Sequence, residues 1–175
     1  MSENRLYAVT EGGIEELVIP EHTTNLTNLY AGLELGVYSA LRTYDQNKFL
    51  ELDAHLDRTE RSMDLLNWKY DLDRGRLKRA LHQAATAFPA AEARVRFDIL
   101  SWPGESLGTR SRELIALIPF KPEPKQYYTR GVGVDFVPNL VRDEPLAKTA
   151  EFAERRSKML PSRTQSHFEY MLLDE

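Results

Sequence analysis

The amino-acid sequence predicts an α/β protein of the α+β type: a first α/β unit, followed by the start of a second. Three observations predict it. Two stretches with helical apolar spacing, 53–67 and 73–88, lie side by side in the chain. Two strand-like stretches, 94–100 and 113–118, come directly after them. Then Pro119-Phe120-Lys121-Pro122-Glu123-Pro124 places three prolines in six residues, which removes amide donors and favours an extended connection.

Taken in order, Leu6 to Val9 reads as a short strand, with Gly12-Gly13 as a turn before Ile14 to Ile19. Gly36 to Tyr44 is rich in β-branched and aromatic residues. Asp45-Gln46-Asn47 is turn-like, and Lys48 to Leu52 completes a hairpin. In the first helix Leu52, Leu56, Met63 and Leu66 form one apolar stripe, and Asp53 is placed to cap it. Asp73 is placed to cap the second helix, whose apolar face is Leu77, Ala80, Leu81, Ala84 and Phe88, and Pro89 ends it. In 94–100, Val95, Phe97 and Ile99 point one way and Arg94, Arg96 and Asp98 the other. The apolar run Leu114 to Ile118 suits a central strand covered on both faces.

Residues 1–120 therefore read as one α/β domain, 121–131 as a linker and 132–175 as the beginning of a second domain. In the last segment Val132 to Val137 reads as a strand, Lys148 to Leu160 as a helix stopped by Pro161, and Phe168 to Leu173 as a strand. This segment is close to the lower size limit for an independent core, roughly 40 residues. Its two strands are expected to lack pairing partners and to expose sheet edges.

Composition bounds the function. The 175 residues carry a net charge of −4 and no cysteine. That excludes a disulfide scaffold, a thiolate nucleophile and thiolate metal sites. The acidic balance argues against a general nucleic-acid binder. No apolar run approaches the roughly 20 residues of a membrane helix, and Met1 to Tyr7 lacks the pattern of an export signal. The expectation is a soluble, cytoplasmic protein that binds neither nucleic acid nor membrane. The glycosylation sequon Asn25-Leu26-Thr27 reads as chance. His22, His55, His82 and His167 do not cluster at metal-ligand spacing, and there is no Gly-rich phosphate loop.

Three groups of residues could carry chemistry. His55, Arg58 and Ser62 lie at i, i+3 and i+7, along one side of the first helix. A planar guanidinium there could bind phosphate; on residue types alone the stripe reads as a solvated charged face. Arg94 and Arg96 share a strand face with Asp98. They could trap a substrate carboxylate or form ordinary ion pairs, and for Arg96 the two readings stand equal. Lys148 sits where a loop enters a helix. The positive end of the helix dipole and partial burial both disfavour an ammonium ion, and so favour the neutral amine that Schiff-base chemistry needs. Read alone, it is a surface lysine near a helix start.

The order of several motifs resembles one family. Gly36-Val37-Tyr38-Ser39-Ala40-Leu41-Arg42 is followed by His55-Leu56-Asp57-Arg58 with Ser62. Arg96 comes next, then Arg142, Pro145 and Lys148-Thr149, and finally Glu169 to Glu175. From about Tyr30 onward the chain is similar to the fold-type IV pyridoxal-phosphate enzymes. These include branched-chain aminotransferases, D-amino-acid transaminases and aminodeoxychorismate lyases. The resemblance implies that residues up to about Phe120 are a small two-layer domain and the rest the start of the large cofactor-binding domain, with pyridoxal 5′-phosphate between them. It implies that Lys148 forms the Schiff base, that Arg58 holds the cofactor phosphate, and that Tyr38 lines the substrate pocket. Arg96 matches a carboxylate-recognising arginine. It also implies a homodimer acting on an amino acid and a 2-oxo acid by transamination. The alternatives are lyase-type elimination of pyruvate and a non-catalytic dimerisation module.

The match has departures. Ser39 stands where the family usually has Glu, and Ala153 where the branched-chain group has Tyr. The Thr-Arg-Gly stretch of the D-amino-acid group is absent from Ile99 to Gly104. The family segment that pairs with the pyridine nitrogen would lie beyond Glu175. The resemblance therefore implies a fragment of a longer protein or a shortened relative.

Overall fold

The computed structural model describes residues 4–19, 36–138, 140, 144–160, 164 and 166–173. Six strands pass through the first unit in the order expected: β1 (Arg5–Thr10), β2 (Gly13–Glu16), β3 (Val37–Tyr44), β4 (Lys48–Phe49), β5 (Ala93–Ile99) and β6 (Glu113–Pro119); β4, the return arm of the β3 hairpin, is shorter than the expected Lys48 to Leu52 because α1 begins at Leu52. They form one antiparallel sheet in the order β2-β1-β6-β5-β3-β4. The continuously apolar β6 lies between β1 and β5, which explains why its residues Glu113 to Leu117 are all buried.

Helices α1 (Leu52–Leu65) and α2 (Arg74–Ala87) cover one face of that sheet. Val95, Phe97 and Ile99 of β5 meet Leu56 and Met63 of α1 and Leu77, Leu81 and Ala84 of α2 in a single core. The period-2 and period-3.6 apolar patterns thus pack against each other. Opposite, Leu6, Ala8, Leu114 and Ala116 form a smaller cluster with Leu17 and Leu100. The buried Glu113 carboxylate accepts from the Tyr70 hydroxyl at 2.7 Å and from Arg76 at 2.6 Å. That ties the α1–α2 connection and α2 to the sheet.

Several expectations are corrected. Asp53 does not cap α1. Helical geometry has already begun at Leu52, so Glu51, in a left-handed conformation, is the cap residue, and the Asp53 carboxylate instead pairs with Lys78 of α2. Asp73 does cap α2, accepting from the Arg76 amide at 2.8 Å. The stretch 121–131 is not wholly extended. A short helix, α3 (Lys125–Arg130), follows Pro124, whose ring fixes a backbone angle compatible with a helix entry. The last two strands are not left unpaired. β7 (Val134–Pro138) and β8 (Glu169–Leu173) pair with each other in parallel, linked across α4 (Ala150–Met159). This is a βαβ crossover, the connection that parallel pairing demands. Gly133 permits its close approach, because a Cβ there would lie 1.8 Å from the Ser166 carbonyl oxygen. Pro161, given above as the stop of the last helix, lies outside the described residues.

Leu81 is fully buried between α2 and the sheet. Leu81→Ala is expected to cost about 2–5 kcal/mol through lost burial and a residual cavity, measured by urea unfolding of the purified protein.

Candidate active site

The site is built where the second unit returns to the first. Lys148 is the residue before Thr149, the cap of α4, whose hydroxyl accepts from the Phe152 amide at 3.4 Å. Its backbone is held from two sides. The Lys148 carbonyl accepts from the Tyr38 amide at 3.2 Å, and the Ala150 amide donates to the Gly36 carbonyl at 2.8 Å, so that Val37 and Thr149 bridge like strand residues. From α1, the Ser62 hydroxyl accepts from the Lys148 amide at 3.1 Å while donating to the Arg58 carbonyl at 2.8 Å. Gly36 has a steric reason to be glycine. A Cβ there would lie 1.9 Å from the Ile99 carbonyl oxygen and 2.5 Å from the Trp68 ring.

These anchors bring three of the expected residues together. Tyr38, Arg58 and Lys148 line one cavity of about 270 Å³, closed by Leu146, Ala147, Thr149 and Phe152. The Lys148 ammonium nitrogen lies 4.8 Å from the centroid of the Tyr38 ring. Arg58 uses a single nitrogen, Nη2, to reach Ser39 Oγ at 2.7 Å and His55 Nδ1 at 3.0 Å. Its Nε is buried without an acceptor among the described residues. A buried guanidinium N–H without an acceptor is costly, and an anion beside Arg58 would relieve that cost. A larger hollow of about 760 Å³, lined by Arg42, Arg94, Phe120 and Lys121, lies elsewhere on the sheet. It too carries arginine, lysine and aromatic side chains, but Arg42 there is paired with Glu92, and it contains none of Tyr38, Arg58 and Lys148.

Arg96 is placed differently. It is buried and donates twice to Asp98, at 2.8 and 2.6 Å. Of the two readings open for it, the structure therefore shows the ion pair. Its guanidinium also stacks on Tyr38, 4.2 Å from the ring centroid, so it borders the site through that ring. Arg142, Asp174 and Glu175 of the motif lie outside the described residues. Ser39, Ser62 and Gly36 hold the site together, yet residue type gave little signal for the two serines. Only the proximity of Ser62 to Arg58 on the helix stripe, and the mismatch of Ser39 with its motif, could have marked them. Among the described residues no group of His, Asp or Glu is arranged to hold a metal ion, and no helix is long and apolar enough to cross a membrane.

A small antiparallel sheet backed by two helices, joined to a βαβ unit whose helix begins just after a cavity-lining lysine, defines a class of cofactor-dependent enzyme folds. Residues 36–175 match the family model for amino-transferase class IV, and the chain belongs to that family. Pyridoxal 5′-phosphate is the family's cofactor. The fold is similar to a hypothetical aminotransferase from Mycobacterium tuberculosis in its PLP-bound form, with TM-score 0.61 and 19% identity over 89% of this chain and 57% of that one. A protein described provisionally as a 4-amino-4-deoxychorismate lyase gives TM-score 0.61 and 28% identity, over 90% of this chain and 58% of that one. A provisionally described branched-chain amino acid aminotransferase from Thermotoga maritima gives 0.59 and 18%, over 88% and 53%. The chain thus spans a little over half the length of these structures. No match is found among the curated proteins.

Ser62→Ala removes the acceptor for the Lys148 amide. The expected cost is about 1–3 kcal/mol, read as a lower urea midpoint. Gly36→Ala must shift β3 away from Ile99, and is expected to destabilise the protein more than Ser62→Ala does in the same measurement.

Proposed function

We propose that the protein is a pyridoxal-phosphate-dependent aminotransferase of class IV. The amino group of an amino acid passes to a 2-oxo acid; the donor leaves as its own 2-oxo acid and the acceptor as its amino acid. The observation that carries this reading is the convergence of Lys148, Arg58 and Tyr38 on one cavity, with the Lys148 backbone clamped by β3 and α1. The unsatisfied Arg58 Nε fits a phosphate group. The Mycobacterium tuberculosis neighbour also has a form with α-ketoglutarate and PMP bound, which supports a 2-oxo acid as the acceptor.

When bound, pyridoxal 5′-phosphate supplies the electron sink for a bond broken at the substrate Cα. Lys148 would hold the cofactor through its amine and would carry a proton at the substrate Cα. Arg58 offsets the phosphate charge. Tyr38 forms the wall beside the Lys148 amine, and Arg96, paired with Asp98, stacks behind that ring. Following the family, residues 1–120 act as the small domain, 121–131 as the linker and 132–175 as the start of the large domain. The working unit is a cytoplasmic homodimer.

A lyase of the aminodeoxychorismate type, eliminating pyruvate with the same lysine, is the second reading. It is favoured by the 28% identity with the provisionally described lyase, against 19% with the Mycobacterium tuberculosis aminotransferase.

The test is the visible absorption spectrum of the full-length protein with pyridoxal 5′-phosphate, before and after borohydride, beside Lys148→Ala. The expected result is a cofactor band that borohydride fixes in the wild type and that Lys148→Ala lacks. No such band in the wild type would favour a non-catalytic module. Arg58→Ala is expected to weaken cofactor binding about 10- to 100-fold, the range for losing a charge-assisted hydrogen bond, by spectral titration. Amino-group transfer against pyruvate release, measured with candidate substrates, separates the two enzyme readings.

A further inference from the structure

Ser39 occupies the position where the motif usually carries Glu, and the structure gives this serine a use. It is fully buried on β3, and its hydroxyl lies 2.8 Å from His55 Nδ1 and 2.7 Å from Arg58 Nη2. The same Nη2 lies 3.0 Å from His55 Nδ1. A guanidinium is donor only. A hydrogen bond between the two makes Nδ1 the acceptor, in a neutral ring with its proton on Nε2. Ser39 accepts from Arg58, and its hydroxyl shares the single Nδ1 lone pair with the Arg58 N–H. Three side chains from β3 and α1 thus close a ring of hydrogen bonds around a single guanidinium nitrogen.

We propose that Ser39 and His55 are positioning residues for Arg58: they hold Nη2 and so aim the guanidinium into the cavity it shares with Lys148, and they do this only while the imidazole is neutral. The inference rests on the reading of Arg58 as the holder of the cofactor phosphate. A second proton on His55 would go to Nδ1. The ring would then present an N–H to Arg58 instead of an acceptor, and a cation to a cation. The charged groups that bear on the ring are Arg58 from its own helix and Lys148 from the segment leading into α4. Among the described residues no carboxylate hydrogen-bonds to it. Burial first, then the positive charges of Arg58 and Lys148, hold His55 below the ordinary histidine range. The neutral ring, and the hold on Arg58, are thus complete above the ordinary histidine value of about 6.5, and are lost as the pH falls through the lowered one.

The experiment uses the full-length protein and two ligands, pyridoxal 5′-phosphate and pyridoxal, which lacks the phosphate. Affinities are measured by spectral titration from pH 5.5 to 8.0 for wild type, Ser39→Ala and His55→Asn. Asn offers an acceptor near the Nδ1 position and does not titrate. The ratio of the two affinities isolates the phosphate arm from chemistry at Lys148. Comparison with His55→Asn removes the phosphate's own ionisation, which acts equally in both proteins. At pH 7.5 the wild type and His55→Asn are expected to agree within about threefold, and Ser39→Ala to lose about 3- to 10-fold for pyridoxal 5′-phosphate but not for pyridoxal, the size of one hydrogen bond. At pH 5.5 the wild-type ratio is expected to fall further than that of His55→Asn, by less than tenfold, because a ring held below the ordinary histidine range is only partly protonated there.

Superimposable pH profiles for wild type and His55→Asn would overturn the proposal. So would equal losses for both ligands, which would mark a merely structural role. A wild-type ratio that rises relative to His55→Asn in acid would also overturn it, since the imidazolium itself would then bind phosphate. Nitrogen-15 spectra of the His55 ring test the idea without cofactor: a protonated Nε2 and bare Nδ1 at pH 7.5 are expected, and the opposite tautomer overturns it. If no cofactor band forms at all, the proposed activity fails. Inorganic phosphate then becomes the probe, and its affinity must still show the acid-side difference between wild type and His55→Asn.

Discussion

Everything in the site hangs on how the residue before α4 is held. The Lys148 peptide gives its carbonyl to β3 and its amide to Ser62 of α1. Both partners belong to the first unit, and both are themselves fixed by the core beneath the helices. Backbone hydrogen bonds to a peptide set the origin of its side chain far more tightly than side-chain contacts can. The amine therefore emerges at a defined place beside the Tyr38 ring, at the start of a helix and at the rim of the cavity that Arg58 enters.

That clamp explains several small residues. Gly36 is needed because Ile99 and Trp68 leave no room for a Cβ, and its carbonyl receives the Ala150 amide. Ser62 is small and buried, and serves two peptides with one hydroxyl, one on its own helix and one on the incoming segment. Ser39 uses its hydroxyl on two side chains. In each case an ordinary polar or small residue does a job that only its neighbours define.

The electrostatics are arranged in two layers. On the face of the sheet away from the helices, Arg96 is neutralised by Asp98 and stacks on Tyr38. On the helix side of β3, Arg58 has neutral partners, Ser39 and His55, and keeps its charge available. Two arginines of similar appearance in the sequence thus have opposite roles. One is satisfied internally, and the other keeps a buried Nε without an acceptor among the described residues.

The α+β class, the two helices, the central strand at 113–118 and the capping by Asp73 were legible in the sequence, because apolar periodicity and short-range capping are local properties. The order of motifs singled out Lys148, Arg58 and Tyr38, which composition and spacing alone left ambiguous, and the structure brings the three onto one cavity. What only the tertiary structure decided were the long-range pairings. These are the partnership of Arg96 with Asp98, the parallel union of β7 with β8, the cap of α1 at Glu51 rather than Asp53, and the ring of Ser39, His55 and Arg58. The pairings depend on which atoms distant in the chain come within hydrogen-bonding reach, and the cap on a helix start shifted by two residues. No local pattern encodes that distance.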